Sequence, residues 1–164
     1  MLHISSDNSK SILTNVQDGD IQPNATDLRI DKIFKIENDV FEIDKDNNKK
    51  HRSLTELKAD KDGFYFLNEG SYSVIMENDI EVGENECGFV ITRSTFIRNG
   101  CFLTTGLYDS GYKGHMISCL HVTSGAIKIQ KGTRVGQYLC FHCNSLNKYN
   151  GSYGANSEYD KRYE

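Results

Sequence analysis

The stretch Asp27–Ile36, DLRIDKIFKI, decides the fold class together with Cys87–Thr92 (CGFVIT), Met116–Val122 (MISCLHV) and Arg134–His142 (RVGQYLCFH). Each is a short apolar or alternating run, and Gly, Asn and Asp separate them. Phe41–Ile43 (FEI), Gly63–Leu67 (GFYFL), Tyr72–Met76 (YSVIM) and Ala126–Ile129 (AIKI) continue the series. A strand with one apolar face needs a facing sheet, so many short strands at fairly regular spacing predict an all-β sandwich or barrel.

Working outward, Ser9–Val16 (SKSILTNV) reads as a short helix, with Ser5, Ser6 or Asp7 as N-cap and Gly19 as its stop. Arg93–Asn99 (RSTFIRN), followed by Gly100, reads as one or two helical turns with a glycine C-terminus. Asp44–Ser53 (DKDNNKKHRS) is polar without periodicity and reads as an exposed loop. The chain divides into a domain over residues 1–143 and a polar tail over 144–164, which is either disordered or an arm that orders over a site. No repeat, heptad pattern or P-loop stands out.

A length of 164 residues fits one domain, and 37% hydrophobic with 26% charged residues is ordinary for a globular protein. The net charge of -4 gives no bulk attraction to nucleic acid or acidic membranes, so a polyanionic substrate needs a locally basic pocket and no nucleic-acid or membrane partner is expected. The opening MLHISSDNSKSILTN lacks a basic leader with an apolar run, and no stretch approaches the roughly 20 apolar residues that cross a bilayer, so a cytoplasmic location is expected. One proline, no tryptophan and many Asn and Lys suggest a biased genome composition, as for a viral protein acting in a host cytoplasm.

Five cysteines without a secretion signal favour free thiols over a disulfide framework. Cys140 and Cys143 form a CxxC with His142 between them and His121 upstream, but zinc usually takes four ligands and no second pair stands at a suitable spacing.

Four segments in order, Asp20–Ile30 (DIQPNATDLRI), Arg93–Gly100 (RSTFIRNG), Gly106–Gly114 (GLYDSGYKG) and Gly132–Gln137 (GTRVGQ), resemble the dUTPase and dCTP deaminase superfamily. Phe64–Val82 (FYFLNEGSYSVIMENDIEV) matches as well, so the resemblance covers most of the chain. It implies a distorted jelly-roll or β-clip fold, a homotrimer with active sites between subunits, and a C-terminal arm that reaches them.

The resemblance assigns roles residue by residue. Hydrolysis at the α-phosphorus of a nucleoside triphosphate needs a carboxylate to orient or deprotonate water, and Asp109 in its Gly-bounded hairpin matches that residue. Tyr112 matches the tyrosine that packs against deoxyribose. Backbone from Leu103 through Thr105 to Gly106 would read the uracil edge, with Gly106 allowing close approach. Ser94 and Arg98 match phosphate ligands, Arg93 is either a phosphate contact or a structural ion pair, and Gln137 matches a glutamine on the phosphate side of the site. Asp27 would shape the phosphate and metal region or fix a turn. Mg2+ is the implied cofactor, held mainly by triphosphate oxygens and waters rather than by protein ligands.

The two branches of the superfamily pull differently. The deaminase branch is the better match at Ile21–Ile30 and in the tail at Lys148–Ser157 (KYNGSYGANS), where Lys148 and Tyr149 match arm residues that contact the triphosphate. Deaminating cytosine, however, requires a proton shuttle, and the glutamate that deaminases place in G-x-x-x-L-E is here Cys119. A thiol with an ordinary pKa of about 8.5 replaces it poorly. His115 or His121, on the same strand face if the strand is regular, are the candidate substitutes. Tyr112 and Gly106 are dUTPase-like, whereas the closing motif of trimeric dUTPases is missing. The expected function is a homotrimeric, Mg2+-dependent dUTP diphosphatase yielding dUMP and diphosphate. The rivals are a dCTP deaminase, a pyrophosphatase for another deoxynucleotide, and a catalytically silent nucleotide-binding or regulatory protein.

Overall fold

A computed structural model of the chain describes residues 1–2, 4, 8–155 and 157–163. Its strands in chain order are β1 (Ile12–Leu13), β2 (Thr26–Ile36), β3 (Glu42–Ile43), β4 (Lys49–Lys50), β5 (Leu54–Glu56), β6 (Phe64–Leu67), β7 (Gly70–Glu81), β8 (Glu86–Thr92), β9 (Cys101–Thr104), β10 (Lys113–Val122), β11 (Ile127–Gln130) and β12 (Arg134–His142). One helical turn, α1 (Ser94–Ile97), joins β8 to β9, and a single 3-10 turn spans Lys161–Tyr163. The fold is therefore nearly all β, as the alternating runs predict.

The long strands β2 and β7 pair antiparallel at the centre of one sheet ordered β8-β12-β2-β7-β10-β9, with β1 also on β7 and β5 on β2. Strand β10 shows why this sequence makes a sheet. Gly114, Met116, Ser118, Leu120 and Val122 are buried while the residues between them are partly exposed, which is the period of two that one covered face demands. The core unites Leu28, Ile30, Ile33, Val74, Met76, Met116, Leu120 and Val135 across these strands.

The two edge strands curl toward each other and make the sheet barrel-like. Thr92 Oγ1 accepts the Leu103 N–H at 2.7 Å, and Thr105 Oγ1 accepts the Val90 N–H at 3.4 Å, so hydroxyls replace the backbone ladder where β8 and β9 splay. Beyond the splay, Gly88 and Tyr108 exchange backbone hydrogen bonds of 3.0 and 2.7 Å. A Cβ at Gly88 would overlap the Tyr138 hydroxyl, so only glycine permits this closure.

The helix expected over Ser9–Val16 is not formed. Residues 9–13 are extended, β1 pairs Ile12 with Glu81, and Asn15 takes a positive φ of 54°. The reason is tertiary: buried Glu86 takes the Ser9 hydroxyl at 2.9 Å, the Ser11 hydroxyl at 2.5 Å, and the N–H groups of Lys10 and Ser11 at 2.7 and 2.9 Å. Those four bonds need an extended strap, and together they outweigh a helix preference of a few tenths of a kcal/mol per residue. The caps assigned to that helix, Ser5, Ser6 and Asp7, lie outside the described residues.

The turn expected over Arg93–Asn99 is present as α1, closed by Gly100 at φ 70°. The polar stretch Asp44–Ser53, expected as a loop, instead contains the turn and second strand of the β3–β4 hairpin. Asp44 Oδ1 accepts the N–H groups of Asp46 and Asn48, both at 2.9 Å, and Asn47 supplies a φ of 65°.

Candidate active site

Asp109 lies on the turn between β9 and β10. Its neighbour Ser110 is buried and fixes the turn by donating to Gly83 O at 3.1 Å and accepting the Asn85 N–H at 3.1 Å. The Tyr112 N–H bonds to Asp109 O at 3.0 Å, and Gly111 between them takes a φ of 81°. Pinned in this way, the turn leaves the Asp109 side chain exposed, with no hydrogen bond or ion pair among the described residues. Burial, then the Cys143 thiol, push the Cys87 thiol up to about 11, and the charge of Asp109 adds to the effect.

Tyr112 is 8% exposed and packs in the opposite environment. Its ring meets Tyr108 at 5.5 Å and Tyr149 of the tail at 5.2 Å, and its hydroxyl donates to His115 O at 3.2 Å. Burial holds its hydroxyl pKa well above the ordinary value, as it does for Tyr108.

Residues 144–155 and 157–163 run back over this hairpin. The Tyr149 N–H bonds to Ser110 O at 2.8 Å and the Ala155 N–H to Lys113 O at 2.7 Å. Within the tail, the Tyr163 ring meets Phe34 at 5.5 Å and its hydroxyl lies 3.2 Å from Ser73 Oγ. Between tail, hairpin and the β3–β4 insertion is a cavity of about 410 Å3. Gly106, Tyr112 and Tyr149 of the expected site line it, together with His51, Asp160 and Tyr159. Its size falls in the range of small-molecule sites.

Gly106 also opens onto a shallow groove between β8 and β9, lined by Phe89–Thr92 and Leu103–Leu107. Among the described residues, Thr105, Gly106 and Leu107 form no backbone–backbone hydrogen bond, whereas the Leu103 N–H is already taken by Thr92. Backbone without a hydrogen-bond partner thus runs over residues 105–107, while at Leu103 the N–H is occupied.

The expected phosphate residues stand elsewhere. Ser94 opens α1 and Arg98 caps its end, and both are exposed. Gln137 donates to Oδ1 of fully buried Asp27 at 2.9 Å. Asp27 Oδ2 lies 3.4 Å from both Arg93 Nε and Arg134 Nη1 without an aligned hydrogen bond. Of the two readings open for Arg93, the ion pair is the one this chain forms. Lys148, beside Gly111, lies 3.8 Å from Glu84. Tyr108 is bonded to Gly88 near the start of β8 while Ser94 follows its end, so carboxylate and phosphate residues stand about 20 Å apart at roughly 3.3 Å per extended residue. One chain alone does not bring them together.

The model of the dCTP deaminase-like family matches residues 3–142. The chain belongs to the dCTP deaminase-like family. It is 31% identical over 152 residues to the deoxyuridine 5'-triphosphate nucleotidohydrolase of Methanocaldococcus jannaschii, over 92% of this chain and 97% of that protein. It is 35% identical over 127 residues to a probable deoxyuridine 5'-triphosphate nucleotidohydrolase of Methanosarcina mazei, over 76% of this chain and 74% of that one. Among solved structures, the 2'-deoxycytidine 5'-triphosphate deaminase of Agrobacterium tumefaciens shares the fold, with a TM-score of 0.63 at 17% identity over 80% of this chain, which spans 43% of that one.

Within this dCTP deaminase-like chain, the centre where deamination needs a proton shuttle is poorly equipped. Burial raises the Cys119 pKa, which keeps the thiol neutral. His121 Nδ1 lies 2.9 Å from Ser71 Oγ and Nε2 lies 3.0 Å from Thr104 Oγ1, and its ring stacks on Phe102 at 4.8 Å. Both its nitrogens are engaged. His115 shares the partly exposed face of β10 with Cys119, as expected for a regular strand, but its Nδ1 pairs with Asp79 Oδ1 at 2.6 Å.

Sequence reasoning missed His51, Tyr108, Tyr159, Asp160 and Tyr163 as cavity residues. The only sequence signal was the recurrence of tyrosine at 149, 153, 159 and 163 in an otherwise polar tail. Among the described residues no group of three His, Cys, Asp or Glu side chains forms a metal cage. The donor set suits a hard cation that arrives on phosphate oxygens, since the hairpin offers one unpaired carboxylate, Asp109.

Proposed function

We propose that this protein hydrolyses dUTP to dUMP and diphosphate, as the names of its archaeal relatives say of them. The observation that carries the reading is an unpartnered Asp109 together with a carboxylate-free position at Cys119 in a deaminase-like chain; because Asp109 faces solvent in the single chain, catalysis requires a neighbouring copy to close a cleft over it. Tyr112 packs against deoxyribose, and the free backbone of residues 105–107 meets the base edge. Asp109 accepts a proton from water as that water attacks the α-phosphorus, the bond from that phosphorus to the bridging oxygen breaks, and diphosphate leaves. Mg2+ would ride on the triphosphate oxygens and offset their charge, with Asp109 the nearest unpaired carboxylate of the hairpin.

The separation of Asp109 from Ser94 and Arg98 supports an assembly in which these residues come from neighbouring copies, the homotrimer being the expected form. Residues 144–164 act as an arm, with Tyr149 and Lys148 at its root, over the domain of residues 1–143. The expected location is the cytoplasm; among the described residues no helix is long and apolar enough to cross a membrane. The test is incubation with each deoxynucleoside triphosphate and Mg2+, with products separated by chromatography and Asp109→Asn as control. Formation of dUMP from dUTP, lost in Asp109→Asn, sustains the reading. Formation of dUTP from dCTP, or no turnover at all, overturns it.

A further inference from the structure

Strand β12 decides which cysteines face each other. Side chains alternate between the two faces of a strand, so Cys140 and Cys143, an odd number of residues apart, point to opposite sides of the sheet. Cys140 is 1% exposed and turns inward, its Sγ 3.9 Å from Ser11 Oγ and 3.7 Å from Glu86 Oε2. Phe141 and Cys143 share the outer side. The β8–β12 register pairs Phe141 with Cys87 and His142 with Glu86, and the Cys143 N–H carries it one step further with a bond to Asn85 O at 2.9 Å. Cys87 therefore stands diagonally across from Cys143 on the same face.

That diagonal is a close one. Phe89 and Phe141 occupy the same diagonal step one pair further along, and their rings stack with centroids 5.7 Å apart. Both thiols are free and half-buried, and Cys143, after burial, helps push the Cys87 thiol up to about 11. Cys143 also lines an open pocket with Lys10, Asn85 and His142, which gives a small reagent access to one sulfur of the pair. The Asp109 hairpin rests on the same end of β8: the Asn85 N–H bonds to Ser110 Oγ at 3.1 Å, and Gly88 exchanges backbone bonds of 3.0 and 2.7 Å with Tyr108.

We propose that Cys87 and Cys143 form a redox-modification site, which a small-molecule disulfide of the glutathione type closes into a cross-strand disulfide that shifts the support of the Asp109 hairpin. The Cys143 thiol gives its proton to solvent, and its sulfur attacks one sulfur of the small disulfide, whose S–S bond breaks and releases a thiolate. That thiolate takes the proton of Cys87, and the Cys87 sulfur attacks the mixed disulfide at Cys143. The second small thiolate leaves and is protonated by solvent. The protein loses two electrons and two protons, and the small disulfide becomes two thiols. Diagonal neighbours start at a Cα separation of about 7–8 Å, against about 4.4–6.8 Å in a disulfide, so closure draws residue 143 toward β8 and moves the Asn85 backbone bonded to it. Cys143 lies just past the last residue of β12, where the chain is freest to follow. A bond that needs such movement is readily reduced again.

The test is incubation of the full, reduced chain with oxidised glutathione, followed by peptide mass mapping without reductant. The intact chain should lose two hydrogens, with Cys87–Cys143 as the dominant linkage. Cys87→Ser should stop at a mixed disulfide on Cys143, and Cys119→Ser should behave as wild type. A wild type that forms no internal linkage, or one that links through Cys140 or Cys119, overturns the proposal, and this mapping needs no variant to fold. Amide hydrogen exchange at Asn85, Gly88 and Tyr108 should change by about threefold or more between the reduced and oxidised chains. Exchange that stays the same there overturns the effect on the hairpin. Neither readout involves nucleotide turnover, so the outcome is independent of the hydrolase reading.

Discussion

Gln137 and Asp27 face each other as partners across the β12–β2 ladder, and the Gln137 amide donates to the Asp27 carboxylate at 2.9 Å. With Arg93 and Arg134 both 3.4 Å from the other oxygen, a buried charge is balanced by two half-exposed guanidinium groups. Asp27→Ala should therefore destabilise the fold by roughly 1–3 kcal/mol, since it strands the amide and both cations. Thermal or urea unfolding measures this, and a loss below about 0.5 kcal/mol would show the cluster to be structurally idle.

Asp109 contrasts with Asp27. Its side chain holds nothing in the described fold, so Asp109→Asn should leave the unfolding midpoint unchanged within about 0.5 kcal/mol. The same change should lower dUTP hydrolysis by about 10²–10⁴-fold, the range for a lost general base. A variant that loses stability and activity together would point to a structural role.

Glu86 predicts an acid limit. Burial raises its pKa, but the hydrogen bonds from Ser11, Lys10 and Ser9 outweigh this and hold it below the usual 4.5. The folded state therefore binds its proton less readily than the unfolded chain, so the stabilisation is complete above pH 4.5 and is lost as pH falls through the lower folded value. Glu86→Gln should flatten that part of a stability–pH curve and lower stability near neutrality. A curve of unchanged shape would refute the assignment.

His51 makes the arm itself pH-sensitive. Burial, then Arg162 and Lys49, lower its pKa from 6.5, and its ring meets Tyr159 at 5.0 Å and Tyr153 at 6.1 Å. Its depressed folded pKa means that arm docking is at full strength above pH 6.5 and weakens as pH falls through the folded value. Hydrogen-exchange protection of residues 149–155 and 157–163 should drop on acidification, and His51→Phe should remove the drop.

Cys119 and His121 predict no deamination. With a neutral thiol and both imidazole nitrogens engaged by Ser71 and Thr104, dCTP should not yield dUTP at neutral pH. Chromatography of a prolonged incubation checks this directly, and detectable dUTP would identify a proton shuttle that these contacts do not supply.

The sequence by itself determined the long central strands, because a two-residue period and bounding turn residues act locally, as in Met116–Val122; the short strands β1, β4, β5 and β9 were not legible in it. It also determined α1, closed by Gly100, and the family, because four short segments carry it in order. The extended strap at Ser9–Leu13 was decided only in three dimensions: its local pattern reads as helix, and Glu86, 75 residues away from Ser11, overrides it with hydrogen bonds that no local window contains. The same holds for the site. Asp109 and Tyr112 were legible as residues of one turn, but that one is exposed and the other covered depends on where the tail docks. Asp160 and His51 carry no motif, and they become cavity residues because the arm and the β3–β4 insertion meet over a hairpin distant from both in sequence. Periodicity records which face of a strand is apolar; only the packed chain decides which distant side chains close over it.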